Sequence, residues 1–376
     1  MARGTKNRVF TPATSRHTAA EQREPLMTPN PEAIDYCRRA LPAVSRTFAL
    51  GIELLRDPLR DEIGVAYLIC RILDTIEDTT ELPAEARAAL LKRCAAEVSD
   101  SAQWAGCAGA IEEMFADPAL EGADHDLCRN SRTVLGVYHA FREGARAAMR
   151  ESISEMALGM AETVERELRG EGLRLNDERD LERYCYYVAG TVGKLLCNEW
   201  ALDRESITPE IKAELDATAI NFGLGLQVTN IIKGVTDDIA RGVAYVPHRL
   251  FEAAGIDLQT LAENPTDPRG REVVAGLAEM TLLWLDEALR YTITIPVSED
   301  DIRRFCALPL MFAVRTLARA LRTTEVFSEK VLKITREEVR ELHAEIDAAI
   351  ADNAAIESIY QREREPVSAA IQAAKV

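Results

Sequence analysis

The stretch YLICRILDTIED, from Tyr67 to Asp78, places three carboxylates inside an otherwise apolar helical run. Asp74, Glu77 and Asp78 are three and four residues apart, so on an α-helix they project from neighbouring positions on one face. Tyr67 and Arg71 precede them on that face. Buried carboxylates are costly unless a cation compensates them, and Mg2+ prefers oxygen ligands of this kind. The stretch therefore predicts a buried helix with a magnesium site; a solvated acidic patch at a helix end is the alternative.

The rest of the chain has the composition of a helical protein. Its 376 residues are 47% hydrophobic, and Gly and Pro fall mostly between periodic segments. Only YTITIPV, from Tyr291 to Val297, has the alternation typical of a strand. We predict an all-α fold, a single large helical bundle whose sites face inward between helices. The periodicity predicts helices at 31–41, 45–55, 58–79, 84–98, 104–115, 130–168, 178–203, 208–240, 268–291, 299–322 and 335–361.

The chain ends read as tails around this bundle. Residues 1–30 are polar and lack the apolar segment of a signal peptide, so we expect a disordered N-terminal tail there. The helical domain is predicted over 31–362 and a C-terminal tail over 363–376. No stretch is apolar enough to span a bilayer. Eight scattered cysteines without zinc-site spacing indicate thiols in a reducing compartment. We expect a cytoplasmic protein, soluble or peripheral at the membrane.

The formal net charge of −17 argues against nucleic acid as a partner, because phosphate contacts need a basic face. An acidic protein can still bind an anionic substrate where metals or local cations reverse the field.

A second apolar helix carries a polar stripe of the same kind, LGLQVTNIIKGVTDDIARG, from Leu224 to Gly242. A helix end that meets solvent is again the alternative. Two such stripes facing one another would hold Mg2+ with carboxylates and bind diphosphate oxygens with Arg and Lys, which stabilises a departing diphosphate. The residues of this second stripe and its flanks are Gln227, Asn230, Lys233, Gly234, Asp237, Asp238 and Arg241.

Six stretches together resemble the squalene/phytoene synthase family of head-to-head prenyl transferases, in the family's order and at about its spacing. The resemblance covers roughly residues 35–345 and implies an isoprenoid synthase fold, monomeric, with a central cavity for prenyl diphosphates. Peripheral membrane contact for product release is left open. The stretches are VSRTFAL (44–50), YLICRILDTIED (67–78), MALGMAE (156–162), YCYYVAGTVG (184–193), LQVTNIIKGVTDD (226–238) and FCALPLMFAVRTL (305–317).

The resemblance implies the reaction as well. It implies that two farnesyl diphosphates condense to presqualene diphosphate with Mg2+, and that NADPH then reduces this intermediate to squalene. Magnesium ligands would be Asp74, Glu77, Asp78 and Asp238, with Asp237 as a further candidate. Substrate contacts would be Ser45, Arg46, Tyr67, Arg71, Gln227, Asn230, Lys233 and Arg241.

Three aromatic residues match catalytic positions of the family. Tyr184 matches the tyrosine that assists proton removal as the cyclopropane closes, and a neutral phenol would need help from a diphosphate oxygen. Phe48 and Phe305 match pocket positions whose ring faces stabilise a carbocation. Each of the three is otherwise a core residue. Tyr186 and Tyr187 serve as internal controls, because helical rotation should point them elsewhere.

The stretch TEVFSEKVLKITREEV, from Thr324 to Val339, resembles the family's loop over NADPH. Relatives that make phytoene or dehydrosqualene lack this region, so its presence favours the reductive reaction. The implied cofactor contacts are Arg46, Arg71, Lys233, Lys333 and Arg336.

Gly234 is the largest departure from the family, which has an aspartate four residues before Asp238. The site could bind metal with fewer ligands, Asp237 could compensate, or the second half-reaction could be altered. The alternative function is therefore a non-reductive or atypical member that makes dehydrosqualene, a presqualene product or another prenyl condensate. A helical scaffold without catalysis is the third reading.

Overall fold

The computed structural model describes residues 30–169, 174–240, 243–322, 327 and 332–374, and of Arg46 and Ala240 the backbone alone. Seventeen α-helices follow one another in this part of the chain, with a π-helical turn, Tyr186–Gly190, between α9 and α10. Their bounds are α1 Pro31–Val44, α2 Arg46–Glu53, α3 Leu59–Asp78, α4 Ala84–Glu97, α5 Ser101–Met114, α6 Ala123–Arg129, α7 Ser131–Ala140, α8 Glu143–Leu168, α9 Glu178–Cys185, α10 Thr191–Asp203, α11 Pro209–Ala240, α12 His248–Ala253, α13 Leu258–Glu263, α14 Arg269–Thr294, α15 Asp300–Arg322, α16 Arg336–Ala349 and α17 Asn353–Ala374.

The core lies where the long helices pack side by side. α11 packs along α14, α8 contacts α3, α4 and α10, and α15 contacts α14 and α17. α3 is buried on most of its circumference, from Leu59 to Glu77, because neighbouring helices surround it. The predicted all-α fold is confirmed, and the described residues contain no strand. The strand-like stretch from Tyr291 begins inside α14.

Two predicted helices are each divided by a break that the sequence does not mark with Gly or Pro. The prediction for 130–168 is wrong at Phe141, which is extended and ends α7, and α8 begins two residues later. At this break, the Arg142 side chain donates to Glu62 at 3.0 Å. The contact joins the break to a residue of α3 that is far away in the sequence. The stretch 335–361 divides in the same way before Asn353.

The predicted C-terminal tail over 363–376 is wrong for its described part. Residues up to Ala374 continue α17, and Val367 and Ile371 are buried in the core. The apolar spacing Ile356, Tyr360, Val367, Ile371 is that of an amphipathic helix packed on the bundle. The N-terminal tail predicted over 1–30 lies, apart from Asn30, outside the described residues.

None of the helices among the described residues combines the length and the apolar character needed to cross a bilayer.

Candidate functional site

An arginine of α3 itself joins the acidic face of this helix to α6. Arg71 donates from Nη1 to Asp74 at 2.5 Å. The other edge of its guanidinium donates to Asp124 of α6, from Nε at 2.8 Å and from Nη2 at 2.9 Å. Asp74 and Arg71, both predicted site residues, are thus in direct contact, and Asp124 completes the cluster.

Glu77 is buried at the wall of a small cavity, with 5% of the residue exposed. Burial raises the pKa of this carboxyl well above its usual range, and the charges of Asp78 and Asp74 raise it further. Its Oε1 atom has no hydrogen-bond partner among the described residues. The cation beside it is Arg87 of α4, which is also buried and donates to the Glu77 carbonyl and, at 2.7 Å, to Glu167.

The two acidic helices converge on a pair of stacked tyrosines. The rings of Tyr184 and Tyr245 lie 4.5 Å apart, centroid to centroid. Burial raises the pKa of Tyr245 well above its usual range, and the charges of Glu77, Asp78 and Asp238 add to this effect. Carboxylates from both α3 and α11 therefore act on the same phenol. The predicted meeting of the two stripes is present in the structure.

Backbone pairing puts Tyr245 in this position. Residue Arg174, after α8, forms an isolated parallel bridge with Ala244, after α11. The Leu175 carbonyl accepts from the His248 amide at 2.9 Å on the other side of Tyr245. Tyr184 comes from the last turn of α9, whose first turn is capped by Asp177. Burial, followed by the charges of Tyr245 and Glu77, raises the pKa of Tyr184 well above its usual range, so the phenol is protonated at neutral pH.

The second stripe presents a cation and one carboxylate to the interior. Lys233 donates to the exposed Asn230 at 2.9 Å. Burial lowers the pKa of Lys233, and the charge of Lys333 lowers it further. Asp238 is 9% exposed, whereas Asp237 is exposed and lies about 100° away around the helix. The structure therefore brings Asp238, and not Asp237, to Tyr245.

A carboxylate at position 234 would have room. A Cβ atom built on Gly234 meets only Asp238 Oδ2, at 3.8 Å, among the described atoms. Gln227 is half-buried on the same helix. Arg241 lies outside the described residues, and so does the side chain of Arg46.

Aromatic and hydroxyl side chains from α2 and α3 adjoin Arg71. Ser45 caps α2 by accepting from the Phe48 amide at 3.2 Å. The Phe48 and Tyr67 rings lie 5.5 Å apart. Burial raises the pKa of Tyr67, although Ser45 and Arg71 act in the opposite direction. Phe305 is different, because it packs in the core against Trp200, with ring centroids 5.6 Å apart.

The described part of the segment that is predicted to contact the cofactor lies near the second stripe. Lys333 is exposed, and its backbone carbonyl accepts a hydrogen bond from Arg319 at 2.5 Å. It is close enough to Lys233 for its charge to lower the pKa of that side chain. Thr335 and Glu338 form a reciprocal capping box that starts α16. Arg336, the first residue of that helix, is exposed. Much of the stretch 324–331 lies outside the described residues.

The two control tyrosines point away from Tyr184. Tyr186 donates to Glu155 at 2.5 Å. The Tyr187 ring covers Gly159, where an added Cβ would come within 2.1 Å of Tyr187 Cγ. Gly190 is likewise covered by Tyr186, at 3.0 Å. These small residues serve close packing. All of them adjoin the π-helical turn, a feature common at functional sites.

The residues present fit magnesium that is shared with a substrate. Within the described ranges, no three acidic, histidine or cysteine side chains form a ready metal cluster. Mg2+ is commonly held by only one or two carboxylates plus substrate phosphates. The orphaned Oε1 of Glu77 borders a cavity of about 40 Å3 that Asp78 also lines. A cation there would offset both the burial and the mutual repulsion of these carboxylates.

Sequence reasoning missed three residues of this site. Tyr245 and Asp124 lie in short segments without periodicity, and their roles come from contacts made across the fold. Arg87 did carry a signal, because it shares the apolar stripe of Leu90, Leu91 and Cys94 in α4. A charge on a buried stripe needs a partner inside the protein.

Known proteins are similar to this chain in sequence and in fold. The sequence model described as "Squalene/phytoene synthase" matches residues 41–338, most of the chain. The chain belongs to the squalene/phytoene synthase family. Members of this family are prenyl transferases.

Relatives in this family carry the name squalene synthase. Squalene synthase 1 of Arabidopsis thaliana is 27% identical over 322 residues, which cover 85% of this chain and 72% of that protein. Botryococcus squalene synthase, from Botryococcus braunii, is 30% identical, with 83% and 63% covered. The Schizosaccharomyces pombe enzyme is 27% identical, with 80% and 62% covered. The chain thus spans less than two thirds of the length of the last two.

Solved structures share the fold. TcSQS in complex with the ligand BPH1237 superposes with a TM-score of 0.74 at 22% identity, over 92% of this chain and 99% of that one. A dehydrosqualene synthase in complex with a ligand superposes with a TM-score of 0.62 at 18% identity, over 85% and 96%. The isoprenoid synthase type of helical bundle is therefore confirmed.

Proposed function

We propose that this chain is a squalene synthase. It joins two farnesyl diphosphates head to head to give presqualene diphosphate, and it reduces this intermediate to squalene with NADPH. The observation that carries the proposal is the convergence of Glu77 and Asp78 from α3 and Asp238 from α11 on the Tyr184–Tyr245 pair. Carboxylates so placed could hold the magnesium that stabilises a departing diphosphate, and the buried phenols lie beside them.

Each diphosphate would lie between carboxylates and cations. Magnesium bound at Asp74, Asp78 and Asp238, with Glu77 beside them, would neutralise the diphosphate and favour its departure. Arg71 and Lys233 supply hydrogen bonds and charge to the phosphate oxygens. Tyr67 and Phe48 lie beside Arg71, where their ring faces would line the path of the prenyl chain.

Tyr184 is proposed to orient the proton transfer and not to act as the base. Its pKa is raised, so the phenol keeps its proton and donates a hydrogen bond. A proton that leaves the substrate carbon would therefore pass to a diphosphate oxygen. Tyr245, stacked on Tyr184, keeps the ring in place and excludes water from this side of the site.

The reductive half of the proposal is supported by two lysines. Lys233 and Lys333 are close enough for their charges to oppose one another, which lowers the pKa of Lys233. An anion placed between them would relieve that repulsion. The phosphates of NADPH are such anions, and Lys333 belongs to the segment that resembles the cofactor loop.

The experiment is a product assay of the purified chain with farnesyl diphosphate and Mg2+, with and without NADPH. We expect squalene only when NADPH is present. Dehydrosqualene, or accumulated presqualene diphosphate, in both reactions would establish the non-reductive alternative that Gly234 raises. No turnover of any prenyl diphosphate would refute both readings.

The variant Asp74→Asn tests the metal site. We expect diphosphate release to fall by at least about a hundredfold, because that is the upper end of the loss for residues that merely support a metal ligand. Asp61→Asn is the matched control, since it removes an aspartate of the same helix that pairs with Arg38 at 2.7 Å. Release measured with a phosphate-detecting assay should be unchanged in the control. Full activity of Asp74→Asn would refute the assignment.

A further inference from the structure

The guanidinium of Arg71 donates hydrogen bonds to carboxylates on two sides. Asp124 accepts from Nε at 2.8 Å and from Nη2 at 2.9 Å, a bidentate pair that fixes the plane of the group as well as its position. Asp74 accepts from Nη1 at 2.5 Å. About a third of each of the three side chains is exposed, so the cluster lies at the edge of the interior and not in bulk solvent.

Asp124 is itself held against α3. It lies in the first turn of α6, and the next residue, His125, is 3.4 Å from the hydroxyl of Thr79 at the end of α3. The His125 ring also packs on Phe115, with centroids 5.6 Å apart. These contacts attach α6 to the end of the acidic helix, so the carboxylate of Asp124 has a fixed place from which to hold Arg71.

The hydrogen bonds to Asp124 and Asp74 leave N–H donors of Arg71 available for a ligand. Within the described part of the chain, Asp124 and Asp74 use three of the five N–H groups of Arg71. One N–H on Nη1 and one on Nη2 remain. Arg71 can therefore still donate two hydrogen bonds to the oxygens of a phosphate.

We propose that Asp124 is a positioning residue, which holds the Arg71 guanidinium so that its two remaining N–H groups meet a diphosphate in a fixed orientation. The proposal deepens the proposed function and rests on it for the nature of the ligand. Without Asp124, Arg71 would keep its bond to Asp74 but regain side-chain freedom, and diphosphate binding would have to offset the loss of that freedom.

Calorimetry with inorganic pyrophosphate and Mg2+ tests the proposal without turnover. We expect Asp124→Asn to weaken pyrophosphate binding roughly tenfold to a hundredfold, the range for groups that orient binding residues. Asp124→Glu keeps the charge and should recover part of the affinity. The matched control is Asp126→Asn, which removes an ion pair of 2.7 Å with Arg129 on the same helix and should bind as the wild type does.

A double-mutant cycle separates positioning from general loss of structure. Lysine cannot make the bidentate pair, so in an Arg71→Lys background the change Asp124→Asn should cause little further loss. An equal loss in both backgrounds would overturn the proposal. Tighter binding by Asp124→Asn would also overturn it, because it would show that Asp124 competes with the ligand for Arg71.

Kinetics with farnesyl diphosphate add a readout that misfolding would not imitate. We expect a raised KM with a smaller change in kcat, whereas partial unfolding lowers kcat alone. Wild-type turnover with unchanged pyrophosphate binding by Asp124→Asn would defeat the inference and leave the proposed function intact. If pyrophosphate binding depends on Asp124 but the wild type does not turn over farnesyl diphosphate, the inference stands and the proposed function fails. No binding by the wild type would refute the inference.

Discussion

Gly234 stands where the resemblance to the family predicts an aspartate, and a carboxylate there would have room among the described residues. Among the described atoms, a Cβ there meets only Asp238 Oδ2, at 3.8 Å. We expect Gly234→Asp to keep or raise turnover. The added carboxylate would strengthen metal binding, and the change from glycine to aspartate inside a helix adds only about 0.3 kcal/mol of helix stability.

Thermal unfolding with and without Mg2+ and pyrophosphate checks this prediction, with Gly234→Asn as the uncharged control. The gain in Tm on adding both ligands should be larger for the aspartate variant than for the control, because only the aspartate adds charge to the site. A large loss of turnover in Gly234→Asp would mean that the pocket has been shaped around glycine for another chemistry.

Glu199 is a second informative residue, fully buried in α10. Burial and the charge of Glu62 raise its pKa to about 9. The folded protein therefore binds one more proton than the unfolded chain between the ordinary glutamate pKa and this value. Stability from this group is present at acid pH and is lost as pH rises, by at most about 1.4 kcal/mol per pH unit.

The variant Glu199→Gln should remove this dependence. We expect its Tm to exceed that of the wild type at about pH 9, where an unpaired carboxylate is costly, and to differ little at about pH 5. Differential scanning calorimetry at the two pH values measures the difference. A Tm gain of the same size at both values would contradict the role assigned to ionisation.

At the residue scale, the sequence predicted those site residues whose signal is local. Asp74, Glu77, Asp78 and Asp238 stand out because charges interrupt apolar helices. Tyr245 does not, since its place depends on pairing between residues 174–176 and 243–249, far apart in the chain. The roles of the individual site residues remain predictions.

At the scale of elements, long periodic helices were predictable and their interruptions were not. α3, α4, α11 and α15 begin and end within two residues of the predicted bounds. The break at Phe141 has no local signal, and the ion pair beside it, between Arg142 and Glu62, joins residues far apart in the chain. The short helices α6, α12 and α13 were missed, since six or seven residues are too few to show periodicity.

Close contact between the π-helical turn and α11 sets a further prediction. A Cβ on Gly223 would lie 2.3 Å from the carbonyl oxygen of Ala189, which is backbone and cannot rotate away. We expect Gly223→Ala to lower the free energy of unfolding by roughly 1–3 kcal/mol. Gly136→Ala is the control, because nothing lies within 4 Å of its Cβ among the described atoms.

Urea unfolding of the two variants gives the comparison. Gly136→Ala should be neutral or stabilising by up to about 1 kcal/mol, since alanine is the better helix former. Equal effects of the two changes would mean that α11 can move away from the turn at no cost.

At the scale of the whole molecule, one network of charges ties together elements that are far apart in sequence. Arg204 pairs with Glu299 at 3.0 Å and with Asp301 at 3.0 Å. Arg56 donates to Asp301 at 2.6 Å. Arg142 joins Glu62 to Asp203. These ion pairs link α3 to α10, and they link the residues that follow α2 and α10 to α15.

Removal of one member should therefore be costly. We expect Arg204→Met to lower the free energy of unfolding by about 1.5–3 kcal/mol, because the nearly buried carboxylates of Glu299 and Asp301 each lose one of their two arginines. Arg290→Met is the control, since its pair with Glu287 is largely exposed and should be worth less than about 1 kcal/mol. Chemical denaturation monitored by circular dichroism measures both, and equal losses would contradict the prediction.

The ring of Tyr245 is carried by an extended segment and not by either acidic helix. Residues 174–176 pair with this segment through backbone hydrogen bonds. Substitutions there could change the direction of the Tyr245 side chain and leave the carboxylates of α3 and α11 in place. This short pairing therefore offers a place to change the geometry around the phenol that is remote from every recognisable motif.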